Sequence, residues 1–449
     1  MPDMPAVLEI LHQFVRENPS VKRWWVAYSG GLDSSVLLRA LVEAERSRPV
    51  LALHVNHGLS AQADAWQEHC QRECDALGVA LTAETVRVEV QGRGLEDAAR
   101  QARYQVFEQY LQPGDGLLLG HHQDDQAETV LLRLLRGSGP KGLAGMASER
   151  VVGAGRLYRP LLGLNREALE QQARQWCLSW VDDDSNRSLG FDRNYVRHAV
   201  MPAIQQRWPD VAERWRQSSE VCRQSHELIE EIAAEDWQKA GWQAERLGSS
   251  LDLSVLQGLS EFRRGNVIRY WLQQQGRDLP ERVHLQQVEA QLVWGREDSE
   301  AEVLWGRSRL RRFRQRLYLL PPQLITAQPA VAECWDGLTP LVWGHWQLRL
   351  EPQAEGGFRR PTQGFQVVSR QGGERCQPFW RNKSQTLKKL LQEASLEPWL
   401  RAQLPILRVD GEIAVVGDLW FCRGWEASAT AAGGAEPGYR LCWQALGDR

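Results

Sequence analysis

A pair of glycines between an apolar run and a helix-type segment is the feature that most constrains the fold of this 449-residue chain. The apolar run is Trp24-Trp25-Val26-Ala27-Tyr28, and the turn that follows reads Ser29-Gly30-Gly31-Leu32-Asp33-Ser34. Glycines let the backbone approach an anion closely, and the free N–H groups of a first helical turn favour negative charge. The pattern predicts a strand, a phosphate-binding turn (residues 29–34, the phosphate turn) and a helix.

Strand-type and helix-type segments go on alternating between about residues 20 and 200. Strand-type runs lie at 50–55, 80–88 and 116–120, and helix-type segments lie at 61–77 and 95–111. This order predicts an α/β fold in which a parallel, doubly wound sheet is covered by helices on both faces. Ligands of such sheets bind at the carboxyl ends of the strands, which is where the phosphate turn lies.

The pattern changes after about residue 210 and divides the chain into three predicted domains. Helix-type segments dominate from 211 to 293, and an extended stretch at 303–320 precedes Pro321-Pro322. Short apolar runs separated by Gly and Pro come next, with one helix-type segment at 385–394. We expect an α/β domain at 1–210, a mainly helical domain at 211–325 and a small α+β C-terminal domain at 326–449.

Composition argues against several classes of protein. The eight cysteines include no Cys-x-x-Cys pair, so a zinc ribbon, an iron–sulfur site and a redox dithiol have little support. No segment reaches the roughly 18 apolar residues of a membrane helix, and the first residues lack the basic segment of a secretory signal. We therefore expect a cytoplasmic protein with reduced thiols and no obligate protein partner. Because the net charge is −3, any surface for nucleic acid must be local.

Asp33 lies inside the phosphate turn, where a carboxylate would repel a phosphate. A Mg²⁺ ion held between Asp33 and the phosphate oxygens would remove this repulsion. The turn lacks the Gly-Lys-Ser/Thr of a Walker A loop and the Gly-x-Gly-x-x-Gly of a Rossmann fold. It therefore predicts a nucleotide site of another kind.

A second polar cluster follows the strand-type run at 116–120. It reads Gly120-His121-His122-Gln123-Asp124-Asp125-Gln126-Ala127-Glu128-Thr129 and opens a helix-type segment. It should therefore fall on the same sheet edge as the phosphate turn. Two adjacent acids and two histidines suit metal binding, amine recognition or proton transfer. The alternative is that Asp124 and Asp125 only cap the helix.

The phosphate turn resembles the Ser-Gly-Gly-x-Asp-Ser loop of the N-type ATP pyrophosphatases, the PP-loop family. Enzymes of that family cleave ATP between its α and β phosphates and pass AMP to an acceptor. The resemblance implies an adenine nucleotide alpha hydrolase-like fold with Mg²⁺ at Asp33. It also implies that ATP is bound by Ser29, Gly30, Gly31, Leu32, Asp33 and Ser34.

Further motifs resemble those of the tRNA(Ile)-lysidine synthetases in order and spacing. They cover most of the chain, and the middle domain matches least. The motifs lie at residues 54–59, 121–129, 136–139, 159–162, 183–186, 192–197, 370–375, 387–390 and 398–401.

This second resemblance implies a complete reaction. ATP, L-lysine and the wobble cytidine of a CAU-anticodon tRNA(Ile) would give lysidine, AMP and pyrophosphate through an adenylated cytidine, which changes codon reading from AUG to AUA. Asp33, His121 and Asp125 are candidate catalytic residues, and family position favours Asp125. Asp124 and Asp125 are candidates for binding the lysine ammonium group, and His121 would orient the substrate or relay a proton.

Basic residues in three regions are expected to bind phosphates of tRNA or ATP. They are Arg100, Arg103, Arg193, Arg197, Lys383, Lys388 and Lys389. Arg193 and Arg197 are four residues apart and should share a helix face. Six arginines between 307 and 316 are a further candidate, although charges that protect an exposed strand edge explain them almost as well.

Other functions remain as alternatives to lysidine synthesis. A tRNA thiolase of the same ATP-binding group would need paired catalytic cysteines or a cluster, and the cysteine spacing is unsuitable. Synthetases that adenylate small molecules give no reason for basic C-terminal segments. A non-catalytic tRNA-binding protein would have no need for the intact Asp33 and Asp124-Asp125 cluster.

Overall fold

The computed structural model describes residues 6–58, 62–88, 95–182, 188–296, 301–321, 332–427 and 437–446. The chain divides into two compact units, Met1–Leu228 and Ile229–Arg449. Among the described residues, no helix combines the length and apolar character that crossing a membrane requires.

The first unit is built on a six-stranded sheet. Its elements are α1 (Ala6–Glu17), β1 (Arg23–Ala27), α2 (Leu32–Ala44), β2 (Val50–Asn56), α3 (Ala63–Leu77), β3 (Ala80–Thr85), α4 (Leu95–Tyr110), β4 (Asp115–Leu118), α5 (Gln123–Leu135), α6 (Pro140–Leu143), β5 (Glu149–Val152), β6 (Gly155–Tyr158), α7 (Arg166–Gln175), α8 (Asp192–Tyr195), α9 (Met201–Arg207) and α10 (Val211–Lys239). A π-helical turn, Val196–Val200, joins α8 to α9. Helix α10 continues past the unit boundary at Leu228.

The strand order of this sheet is β3-β2-β1-β4-β6-β5. All neighbouring strands are parallel except β5 and β6, which form an antiparallel hairpin. Side chains alternate along β1, so that Trp24 and Val26 pack into one apolar core and Trp25 packs into another. The predicted parallel sheet with two covered faces is therefore confirmed, and β5 adds an antiparallel edge that the sequence did not indicate.

The two central strands bring both polar motifs to one edge of the sheet. β1 and β4 are parallel neighbours, with Val26 opposite Leu118. The phosphate turn leaves β1, and the 120–129 cluster leaves β4, in the same direction. The expectation that these two motifs share a sheet edge is confirmed.

The second unit combines short helices with antiparallel sheets. Its further elements are β7 (Gln243–Ala244), β8 (Ser249–Asp252), α11 (Leu253–Gly258), α12 (Glu261–Gln274), α13 (Arg282–Gln287), β9 (Glu302–Trp305), β10 (Ser308–Phe313), β11 (Arg316–Leu320), β12 (Glu333–Trp335), β13 (Leu341–Trp343), β14 (Trp346–Gln353), β15 (Phe365–Val368), β16 (Arg375–Cys376), β17 (Gln385–Thr386), α14 (Leu387–Glu393), β18 (Ile406–Val409), β19 (Glu412–Val416), β20 (Trp420–Phe421) and β21 (Gly438–Ala445). The sheet orders are β7-β8-β11-β10-β9, β12-β15-β18-β19-β20, β13-β14-β21 and β16-β17.

One apolar core crosses the predicted domain boundary at residue 325. Tyr318 of β11 packs edge-on against Trp399, with ring centroids 5.0 Å apart. Leu247 and Leu320 belong to the same buried cluster as the C-terminal strands. This shared core accounts for a single compact unit after Leu228, and the three-domain division stays a prediction.

Glu45, the residue directly after α2, is a buried carboxylate hydrogen-bonded to the loop that follows it and to β1. It accepts hydrogen bonds from the Ser47 N–H and hydroxyl at 2.8 Å each, from the Arg48 N–H and Nε, and from the Trp24 indole at 3.3 Å. Arg48 also donates to the Asn18 carbonyl at 2.8 Å. Burial alone would raise the pKa of Glu45, but these hydrogen bonds outweigh it and lower the pKa to about 2.

We expect Glu45→Gln to lower the free energy of unfolding at pH 7 by roughly 2 to 3 kcal/mol, because charge-assisted bonds are lost. The folded pKa lies below the unfolded value of 4.5, so this stabilisation is complete above pH 4.5 and disappears as the pH falls toward 2. Urea unfolding at pH 7 and pH 3 measures it. Glu43→Gln, at a surface pair with Arg39, is the control and should change stability by less than about 1 kcal/mol. An effect of Glu45→Gln that is equal at both pH values would contradict the assignment.

Candidate active site

The phosphate turn joins β1 to α2 through a backbone conformation that favours glycine. Gly30 has a φ of +78°, and a Cβ on it would lie 2.8 Å from the Cys70 Sγ. The Ser29 and Ser34 hydroxyls are 3.1 Å apart, and the Ser34 hydroxyl donates to the Gly31 carbonyl at 3.0 Å. These side chains brace the turn. The first N–H groups of α2, which have no intrahelical acceptor by position, are the donors for an anion.

The side chains behind the turn have a structural role. His54 Nδ1 lies 2.9 Å from the carbonyl of Tyr28 and 3.5 Å from the Cys70 Sγ. Burial lowers the pKa of His54 and raises the pKa of Cys70 to about 12, so the imidazole is neutral and the thiol is protonated. The 54–58 part of the resembling motif thus supports the turn, whereas Leu59 and residues 183–186 lie outside the described residues.

The second polar cluster touches the phosphate turn directly. A Cβ on Gly120 would lie 3.0 Å from the backbone C and O of Asp33, so glycine permits the close approach of β4 to the start of α2. His122 Nε2 lies 3.8 Å from Asp33 Oδ2. The two motifs therefore form one site.

Helix capping explains part of the second cluster. His122 is the N-cap of α5, where its Nδ1 accepts the Asp125 N–H at 3.4 Å while Asp125 Oδ2 accepts the His122 N–H at 3.1 Å. Asp124 accepts the N–H of Arg166, the first residue of α7, at 2.9 Å. Asp125 thus caps α5, whereas Asp124 binds the start of another helix, and the second oxygen of Asp125 is left for other partners.

Two buried carboxylates on α5 are paired with two arginines from a distant segment. Asp125 Oδ1 accepts from Arg193 Nη2 at 2.9 Å and from Arg197 Nη2 at 2.7 Å. Glu128 accepts from Arg193 Nε at 3.1 Å and from Arg197 Nε at 2.6 Å. Burial opposes ionisation of Asp125, but His122 and the two guanidinium groups hold its pKa well below the ordinary range. Asp125 is therefore ionised at neutral pH.

One carboxylate oxygen of Asp33 lacks a hydrogen-bond donor among the described residues around it. Among the described residues, the buried Oδ1 of Asp33 has no hydrogen-bond partner. Burial raises the pKa of Asp33, and the nearby His122 opposes that shift. A buried carboxylate oxygen without a donor fits a cation, and Mg²⁺ characteristically uses one or two carboxylates together with substrate phosphates. The described residues contain no cluster of three or more side chains able to hold a metal without such a substrate.

His121 is held as a neutral imidazole by Arg159. Arg159 Nε donates to His121 Nδ1 at 3.0 Å, and Arg159 Nη1 donates to the Ala147 carbonyl at 2.6 Å. Burial lowers the pKa of His121 to about 3, with the Arg159 charge contributing in the same direction. Because Nδ1 is the acceptor, the single ring proton is on Nε2. His121 can thus present a hydrogen-bond donor to a bound group.

The other predicted phosphate-binding residues lie on two surfaces in different units. Arg100 and Arg103 are on α4, where Arg100 sits over the Tyr104 ring at 4.9 Å and the Arg103 charge helps to lower the pKa of His57. Lys383 precedes β17, whereas Lys388 and Lys389 lie on α14; all three are exposed. Their contacts with phosphate, and those of Arg193 and Arg197, stay predictions.

The arginine run at 307–316 is mostly engaged within the second unit. Arg309 and Arg311 pair with Glu302, while Arg312 donates to three carbonyls around Val293. Strand β10 lies between β9 and β11, so the interpretation of this run as an exposed strand edge is wrong. The arginines instead tie β10 to its neighbours.

Several site residues were missed by sequence reasoning. Glu128 and His122 stand within the quoted His-His-x-Asp-Asp-Gln-x-Glu-Thr run, and Arg159 opens the Arg-Pro-Leu-Leu motif. The spacing of Glu128, three residues after Asp125, places both on one helix face and was the available signal. Nothing in the sequence indicated that Arg159 meets His121, because they are 38 positions apart.

Comparison with known proteins covers most of the chain. A PP-loop domain model matches residues 5–204, a TilS substrate binding domain model matches 251–318, and a TilS substrate C-terminal domain model matches 365–443. The tRNA(Ile)-lysidine synthase of Alkalilimnicola ehrlichii is 42% identical over 93% of this chain and 92% of that protein. The chain belongs to the tRNA(Ile)-lysidine synthase family. It is thus an enzyme of the PP-loop class, which implies the use of ATP.

Other members of the lysidine synthase family match over similar lengths. The protein of Coxiella burnetii is 35% identical over 93% of this chain and 94% of its own, and that of Serratia proteamaculans is 38% identical over 96% and 98%. Among solved structures, a U34-tRNA thiolase from Methanococcus maripaludis has a TM-score of 0.40 at 16% identity, over 48% of this chain and 78% of that one.

We expect His121 to stay neutral between pH 8 and pH 5 with its proton on Nε2, because its pKa is about 3. The ¹⁵N shifts of the imidazole, measured by NMR across this range, report both properties. Arg159→Met removes the donor and the charge, so the pKa of His121 should rise. The control Arg156→Met alters an exposed arginine on β6, the strand that directly precedes Arg159, and should leave the His121 shifts unchanged. Titration of wild-type His121 above pH 5 would refute the assignment.

Proposed function

We propose that this enzyme joins L-lysine to C2 of the wobble cytidine of CAU-anticodon tRNA(Ile), using ATP. The cytidine O2 attacks the α-phosphorus of ATP, and pyrophosphate leaves. The deprotonated lysine ε-amine then attacks C2, the C2–O2 bond breaks, and AMP leaves with that oxygen. The phosphate turn contacts the carboxylate–histidine cluster directly. This contact supports the proposed reaction, because adenylation and amine capture need adjacent sites.

The phosphate turn would hold the triphosphate of ATP. The N–H groups at the start of α2 and the hydroxyls of Ser29 and Ser34 are suitable donors. Asp33 would hold Mg²⁺ through its unpaired oxygen, and the ion would supply positive charge against the phosphates. The His121 Nε2–H would orient the substrate by donating a hydrogen bond.

Asp124 and Asp125 would contribute to binding the lysine ammonium group in different ways. Asp125 is nearly buried and already accepts from two guanidinium groups, whereas the Asp124 side chain is 24% exposed. Asp124 is therefore the more accessible carboxylate, and Asp125 contributes charge and fixes Arg193 and Arg197. These two arginines keep α8 against α5 and would face the substrate phosphates from there.

A thiolase activity receives no support from the thiols near the turn. Cys70 and Cys74 are both buried on α3, and burial raises the pKa of each to about 12. A protonated thiol is a poor nucleophile. The mass of nucleotide 34 after incubation of the tRNA with ATP and lysine tests the proposal: an addition of lysine with loss of water supports it, and an unchanged cytidine overturns it.

We expect Asp125→Asn to lose lysine-dependent turnover while ATP still binds. The substitution removes the Asp125 charge that holds Arg193 and Arg197 in place, although Glu128 still pairs with both, and a misplacement of about 1 Å in a site can lower the rate roughly 100-fold. Pyrophosphate release with and without lysine measures turnover, and nucleotide binding is followed separately. Asp75→Asn, at an exposed position on α3, is the control that should behave as wild type. Full turnover by Asp125→Asn would remove this residue from the site.

We also expect the joint replacement of Lys383, Lys388 and Lys389 by Glu to weaken tRNA binding and flatten its salt dependence. Each phosphate contact that is lost should reduce the slope of log K against log salt by about 0.7 to 0.9. Affinity measured at several salt concentrations gives the slope. A control that replaces exposed Arg46, Arg72 and Lys239 by Glu makes the same change in net charge elsewhere. Equal slopes for the lysine variant and this control would exclude a lysine–phosphate interface.

A further inference from the structure

Two large aromatic side chains are exposed side by side in the turn between β16 and β17. The exposed fraction is 42% for Phe379 and 54% for Trp380. Neither side chain contributes to the sites described above. Adjacent exposed rings on a folded surface commonly mark a place where a partner binds.

The two rings pack against one partly buried and one buried aromatic neighbour, Phe421 and Trp420. Phe379 stacks on Phe421 with ring centroids 4.3 Å apart and an interplanar angle of 11°. Trp380 stands at 90° to Phe379, at 4.9 Å, and edge-on to Trp420, at 6.2 Å. Trp420 is itself buried in the core of the unit. The rings are thus fixed before any partner binds, which lowers the entropy cost of binding.

Hydrogen bonds also fix the backbone of this turn. The Phe379 N–H donates to the Phe421 carbonyl at 3.1 Å, and the Arg381 N–H donates to the Pro378 carbonyl at 2.9 Å. Gln377 Nε2 donates to the Arg381 carbonyl at 2.8 Å. The Arg381 guanidinium forms an ion pair with Glu393 of α14. These contacts hold the backbone on both sides of Trp380 in place.

Exposed cations adjoin the aromatic pair in sequence and in the hairpin. Lys383 lies in the same turn, and Arg375 closes the hairpin by donating to the Ser384 carbonyl at 3.0 Å. The exposed Arg423 lies in the neighbouring loop, where its N–H donates to the Gln377 carbonyl at 2.8 Å. Aromatic faces beside cations suit a ligand that has both flat rings and phosphates, which is a nucleic acid. An acidic peptide would use the cations but has no need of the rings.

We infer that Phe379 and Trp380 form a stacking platform for an unpaired base of the tRNA, while the adjoining cations bind its phosphates. This inference rests on the proposed function and deepens it by assigning a contact that depends on base stacking. An unpaired base is the expected occupant because bases within a duplex already stack on each other and leave no face open. Stacking neutralises no phosphate, so it adds affinity without adding to the salt dependence.

Trp380→Ala, tested in the full-length enzyme, should weaken tRNA(Ile) binding about 5- to 150-fold, which is the usual range for one stacked base. The slope of affinity against salt should remain that of wild type. Trp380→Phe should restore most of the affinity, whereas Trp380→Leu, which keeps apolar bulk without a ring, should not. Trp242→Ala is the matched control, since Trp242 is also exposed and packs against one other tryptophan.

Wild-type affinity in Trp380→Ala, equal rescue by Leu and Phe, or a change of salt slope would each overturn the platform. Steady-state kinetics separate this failure from failure of the proposed function. Lost stacking should raise the KM for tRNA without lowering kcat. If wild type forms lysidine and Trp380→Ala has an unchanged KM, only the platform is wrong. If wild type forms no lysidine, the proposed function is wrong whatever the binding data show.

Discussion

Buried charge around Asp125 and Glu128 determines how the site is assembled. An unpaired carboxylate in such a place would cost several kcal/mol, so each must meet a cation when the chain folds. Arg193 and Arg197 supply both cations from 65 to 72 positions away along the chain. The segment that carries them is consequently fixed against α5. The local structure of α8 and the π-helical turn therefore depends on this pairing more than on helix propensity.

Close backbone packing provides the second constraint, because it brings two separate motifs within reach of one substrate. Gly120 allows the end of β4 to approach Asp33, and Gly30 allows the turn to pass over Cys70. A Cβ at either position would force the backbone or a buried side chain to move. The same sheet edge then carries anion donors, an unpaired carboxylate oxygen and a neutral imidazole within one connected group.

Sequence patterns predicted the parts of the fold that follow from periodicity. The apolar run at 24–28 reads as a strand buried on both faces, and its neighbours in a parallel sheet follow from the helix between them. Strand β7 was missed because it has only two residues, and β8 because it is short and begins with two serines, Ser249 and Ser250, which are buried. The pairing of Arg159 with His121, and the position of β10 between β9 and β11, depend on contacts between distant segments. Periodicity carries no information on such contacts.

The π-helical turn at Val196–Val200 makes the site sensitive to insertions and deletions as well as to substitutions. Arg197 lies within this wide turn, and Met201, just beyond it, packs in a small apolar cluster with Ala127. Loss of one residue would turn everything downstream by about 100° around the helix axis. After such a deletion, either the Arg197 guanidinium or the Met201 side chain could occupy its present position, but both could not. Proteins that evolve from this chain should therefore have no insertion or deletion at Val196–Val200, even where the side chains there differ.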